Sequence, residues 1–88
     1  FGTDAGVFPH GDNAGEFVYW DEIGIPAEYS LKAATITNAK LLNMENLLGQ
    51  IKKGFLADII ATDESPTKNI STLKNIVFVM KDGKVYKK

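Results

Sequence analysis

Cysteine is absent from the 88 residues, which excludes disulfides and thiolate-bound zinc. Arginine is absent too: all ten basic residues are lysines, set against eleven acids for a net charge of −1. That balance offers no basic face to a phosphate backbone, so no nucleic acid is expected as a partner. The lysines gather only as Lys52-Lys53 and Lys87-Lys88, which read as solvated surface. No apolar run approaches the roughly 18–20 residues that a membrane-spanning helix needs, so no membrane partner is expected. Histidine occurs once, as His10. The lack of cysteine fits a cytoplasmic protein, and that location is the expectation.

What is present is 44% hydrophobic, which is too apolar for a disordered chain. Its length allows one domain, or a piece of one. The opening Phe1-Gly2-Thr3-Asp4-Ala5-Gly6 has no polar run-in and sets an acid between glycines. It reads as the end of a strand and the turn leaving it, so a larger domain is expected to precede it.

Asp12 or Asn13 is placed to cap a helix with Glu16 in its first turn. Phe17, Trp20 and Ile23 continue it at helical spacing, and Gly24 supplies the stop. Pro26 restarts a helix that runs from Tyr29 to Leu42. The β-branched, acceptor-rich Thr35-Ile36-Thr37-Asn38 predicts a break or a second cap inside it. Beyond Asn43 the pattern turns to loops and strands. Gly49 and Gly54 mark turns, Ala57–Thr62 reads as a strand, and Asn69–Leu73 as one helical turn. Asp82-Gly83 between Ile76–Met80 and Lys84–Tyr86 is a strong hairpin signal and predicts a type I′ turn with Val85 paired across. The order is helices followed by at least three strands, an α+β arrangement.

Three stretches carry a resemblance: GTDAGVFPHGDNAGEF, then IPAEYSLKAATITNAKLLNMENLLGQIKKGFLADIIATDESP, then IVFVMKDGKVYKK. In this order and spacing they resemble the C-terminal end of the amidohydrolase superfamily, in its imidazolonepropionase-like and Xaa-Pro dipeptidase-like branch. The resemblance implies a (β/α)8 metal-dependent hydrolase barrel whose active site lies at the C-terminal ends of its strands. It divides the chain into residues 1–47, the end of the barrel with its strand-8 loop and following helices, and residues 48–88, the C-terminal strands of a composite β-sandwich. It implies hydrolysis of a carbon–nitrogen bond in an amide, dipeptide or cyclic amide, a small-molecule substrate, and a divalent metal, zinc being the expectation.

Asp4 matches the family's aspartate at the end of the last barrel strand. That residue touches the metal or its water, takes the water's proton and passes it to the leaving nitrogen. His10 falls in a loop where the family often has a substrate-contacting histidine. The family's other ligands are a His-X-His pair, a lysine or glutamate, and further histidines. None of these falls within the chain, so by itself it is expected to bind no metal and to be inert.

The residues alone also allow Asp4 to be an ordinary turn residue, His10 a solvated one, and the whole an independent α+β binding module. An open reading frame of about 300 residues upstream, carrying His-X-His, would favour the enzyme over the module. Phe17 and Trp20 read as core, and Asp58 as an acceptor for backbone donors at a strand start. If the sandwich is shared with strands outside the chain, an apolar sheet edge is left exposed, with self-association through it as the expectation.

Overall fold

The computed structural model describes residues 1–2 and 13–88. Its first helix, α1, spans Gly15–Glu22. Ala14 rather than Asn13 stands at the cap, Asp12 lying outside the described residues, and among the described residues no side chain bonds the free N–H groups there. Asn13 contributes its backbone instead, its carbonyl accepting from the Glu16 N–H at 3.2 Å. Within the helix the Trp20 indole N–H donates to a Glu16 carboxylate oxygen one turn back, at 3.2 Å.

α1 stops where the sequence places the stop. Gly24 takes φ +93°, a left-handed conformation that costs a residue without a side chain nothing. The Gly24 N–H then reaches Asp21 O and the Ile25 N–H reaches Trp20 O, both at 3.0 Å. These are the two bonds of a Schellman ending.

Pro26, extended at ψ 142°, precedes α2 (Ala27–Lys32), and its carbonyl accepts from the N–H groups of both Tyr29 and Ser30. Ser30 is fully buried and donates its hydroxyl to Ala27 O at 3.0 Å, so its polar atom is satisfied.

The predicted break at Thr35–Asn38 is absent. Residues Ala33–Thr37 form a π-helical segment that widens the helix and hands it on to α3 (Asn38–Leu41) without a cap. The β-branched run loosens the helix but leaves it continuous. The Thr35 hydroxyl, an acceptor-rich group that favours a break, turns back to Leu31 O at 2.7 Å. The helix ends on a second Schellman pattern, with Asn43 at φ +58°, the Met44 N–H on Ala39 O and the Asn43 N–H on Lys40 O.

The loop after α3 lies directly on the π-helical segment. Gly49, at φ +97°, makes this approach, since a Cβ there would sit 3.0 Å from the Ala39 Cβ and 3.1 Å from the Thr35 carbonyl oxygen.

Three antiparallel strands follow in the order β1 (Ile59–Thr62), β2 (Ile76–Lys81), β3 (Lys84–Lys87). β1 begins two residues later than the sequence reading put it. A short 3-10 helix, Ile70–Lys74, lies between β1 and β2 and packs against α1. Asn69 caps it, accepting from both the backbone N–H and the hydroxyl of Ser71. The hairpin forms as predicted: Asp82 and Gly83 both have positive φ, the type I′ signature, and Val85 pairs with Met80. The inward–outward alternation along β2 lapses at Val79, half-buried beside the buried-side Phe78 and Met80, where the β2–β3 register shifts.

Asp58 performs the task read for it, accepting from the Asp82 backbone N–H at 2.8 Å, but it is exposed rather than buried. With the Gly83 N–H on Ala57 O, this bond ties the hairpin turn to the residues before β1.

Among the described residues the buried hydrophobic side chains are Ala39, Ile70 and Leu73. Large apolar side chains stand in solvent beside them, Ile51 at 81%, Leu41 at 79% and Ile60 at 53% exposure. The sheet and the helices therefore enclose little of the apolar surface they carry.

Candidate functional site

The two sequence-derived site residues, Asp4 and His10, lie outside the described residues. What the structure shows is the backbone that leads to them. Phe1 is half-buried, its ring stacked on Phe17 with centroids 4.4 Å apart and tilted against Trp20 at 4.8 Å. Such aromatic contacts contribute beyond simple burial when the rings meet in offset or tilted geometry. Phe17 and Trp20 thus take the packing role read for them, though half-buried rather than fully enclosed.

Asn38 holds the same residue from the other side. Its side-chain N–H donates to the Phe1 carbonyl at 3.0 Å, and its side-chain oxygen accepts from the chain-terminal Phe1 ammonium at 3.3 Å. The same NH2 group points at Ala34 O, 3.5 Å away in the π-helical segment. With two carbonyls near the nitrogen and a donor near the oxygen, only one orientation of the amide satisfies all partners. Sequence reading placed Asn38 among the acceptors that would interrupt a helix and missed this role. An asparagine in mid-helix, where it is a weak helix former, is the signal that could have drawn attention to it.

Two concavities adjoin this region. One, of about 210 Å³, is lined by Phe1, Asn13, Ala14, Phe17, Ile60 and Leu73 among others, and so touches both flanks of the stretch carrying Asp4 and His10. The other, of about 460 Å³, is a mainly apolar groove between α3, the Gly49 loop and β1, and Asn38 and Asp58 reach its wall. Among the described residues no three histidine, cysteine, aspartate or glutamate side chains converge to hold a metal ion. The sequence has a single histidine, and a catalytic zinc takes about three protein ligands. The metal set implied by the resemblance does not fit within these 88 residues alone, and no metal step is assigned to them.

The amidohydrolase family model matches residues 1–87, and the chain belongs to that family. Among solved structures it is similar to a Xaa-Pro dipeptidase with methionine bound in its active site, at 50% identity and TM-score 0.96 over 100% of this chain and 22% of that one. An amidohydrolase matches at 36% identity and TM-score 0.76, over 84% of this chain and 19% of its own. A prolidase complexed with N-methylphosphonate-L-proline matches at 29% identity and TM-score 0.79, over 90% of this chain and 20% of its own. The chain thus spans about a fifth of the length of the solved structures it matches. No curated protein matches it significantly.

Proposed function

We propose that these residues are the C-terminal part of a metal-dependent amidohydrolase that hydrolyses a carbon–nitrogen bond, with a dipeptide as the favoured small-molecule substrate. The observation that carries this reading is the similarity to a Xaa-Pro dipeptidase over the whole chain at 50% identity. The prolidase neighbour, complexed with a proline-containing phosphonate, favours a dipeptide over a cyclic amide.

In this reading residues 1–47 end a (β/α)8 barrel and residues 48–88 complete a β-sandwich with strands from elsewhere in the protein. The exposed Ile51, Leu41 and Ile60 support it, because a patch of large apolar side chains in water is what remains when a covering partner is left out. A divalent metal, zinc by expectation, would be held by ligands outside these residues together with Asp4, and would supply activation of the water there.

Asp4 is the proton carrier. Its carboxylate takes a proton from the attacking water and returns it to the leaving nitrogen, so the carboxylate is unchanged over a cycle. A general base of this kind must lie within about 2.6–3.2 Å of the proton it takes. His10, in the following loop, is assigned to substrate contact.

The test is Asp4→Asn in the complete protein, with Xaa-Pro dipeptide hydrolysis as the assay. The amide cannot accept the proton, and kcat is expected to fall by about 10²–10⁴-fold with the fold retained. Full turnover in that variant removes Asp4 from the mechanism. The 88-residue chain alone is expected to hydrolyse no dipeptide above background and to carry no stoichiometric zinc. Tight metal binding by it would show that the site is placed wrongly.

A further inference from the structure

Asn38 makes an unusual pair of bonds for a residue inside a helix. Its amide NH2 donates to the Phe1 carbonyl at 3.0 Å, and its oxygen lies 3.3 Å from the Phe1 nitrogen, here the chain-terminal ammonium. The bond to the carbonyl fixes the Phe1 backbone from a helix 37 residues further along.

Three features hold the amide in that pose. The third contact, toward Ala34 O at 3.5 Å, discriminates against the flipped amide. The π-helical Ala33–Thr37 immediately before it adds a widened turn, which changes the direction in which Asn38 leaves the helix. Gly49 lies against Thr35 and Ala39, on either side of Asn38, so the loop braces the helix where it must not shift. Phe17 and Trp20 then fix the Phe1 ring on its far side. Backbone and side chain of one residue are both clamped, three positions before Asp4 in the sequence.

We propose that Asn38 is a positioning residue, whose side-chain amide fixes the Phe1 backbone and so the point from which the chain runs on to Asp4. The proposal rests on the reading of Asp4 as the catalytic carboxylate. It asks little of Asn38 chemically and much geometrically, because small displacements of a reacting group are costly in rate.

The experiment uses the complete protein with Asn38→Leu, Asn38→Asp and Asp4→Asn. Leu matches Asn closely in size but neither donates nor accepts. Asp accepts from the Phe1 N–H but cannot donate to the Phe1 carbonyl, and it serves if the leucine variant folds poorly. In Asn38→Leu, kcat is expected to fall about 10–100-fold with KM within about threefold of the parent, Asn38→Asp lying between. Amide hydrogen exchange in a peptide that starts before Phe1 and ends at Gly2 is expected to accelerate in both Asn38 variants and not in Asp4→Asn.

Unchanged exchange in the Asn38 variants overturns the clamp. Accelerated exchange with unchanged kcat in the folded protein, accompanied only by a lower melting point, shows a purely structural contact and overturns the positioning role. Full turnover in Asp4→Asn defeats the catalytic reading instead, and is told apart from either result by which variant produces it.

Discussion

The helical half of the chain and the sheet half are held in different ways. From Asp58 onward the polar side chains mostly serve close neighbours: Asn69 caps with Ser71 and bonds Glu64, which lies five residues back. Thr62 likewise reaches Glu64, and the long reach in this half, Asp58 to Asp82, spans 24 residues and closes a hairpin. In the helical half the decisive contacts come from further off. Asn38 reaches across 37 residues to Phe1, and a glycine in a later loop lies against the π-helical segment. Local bonds make the sheet half self-specifying, whereas the helical half takes its shape from what is laid against it.

The contrast can be broken by substitution, and the largest stability effect is expected where the long-range packing is tightest. Gly49→Ala puts a methyl group into 3.0 Å of the Ala39 Cβ and 3.1 Å of a backbone oxygen, at a φ of +97°. Strain and overpacking together should destabilise the complete protein by about 2–3 kcal/mol, read from denaturant unfolding. A loss below about 0.5 kcal/mol would mean that the loop moves freely off the helix and that the π-helical segment is not braced by it.

A smaller effect is expected in the sheet half. Asn69→Ala removes the cap of the 3-10 helix and should cost about 1 kcal/mol, the usual worth of such a residue. Because that cap is local, proteolysis of the variant should quicken between β1 and β2 while the helices keep their protection. Quickened cleavage in the helical segment as well would abolish the distinction between the halves.

The smallest effect is expected from Thr35→Val. The hydroxyl is exposed and its bond to Leu31 O is one that water can replace, so the stability change should stay within about ±0.5 kcal/mol. A larger loss would make the hydroxyl, and not Gly49, the cause of the widened turn.

The same division explains which features could be read from the sequence. The hairpin and its turn follow from Asp82-Gly83 because two adjacent residues able to adopt positive φ specify a two-residue loop by themselves. The helical turn after Asn69 and the stop at Gly24 are legible for the same reason, each resting on one residue's own backbone or side-chain chemistry. The continuity through Thr35–Asn38 was not legible. Its β-branched residues argue locally for a break, whereas the helix runs on as a π-helical segment with the Gly49 loop against it. The cap of α1 failed for a related reason: Asn13 uses its carbonyl and leaves its side chain out. Of the site, Asp4 and His10 rest on resemblance, while the clamp on Phe1 emerges only when residues 1 and 38 are brought together in space.

The two outer strands of the sheet have a consequence for how it can grow. β3 carries Lys84 and Lys87, with Lys81 and Lys88 just outside it, so an incoming strand there meets charge. β1, the opposite edge among the described residues, reads Ile-Ile-Ala-Thr and carries no charge. The two edges therefore differ in kind: lysines stand within β3, whereas β1 is uncharged along its length and has Asp58 and Asp63 just outside it.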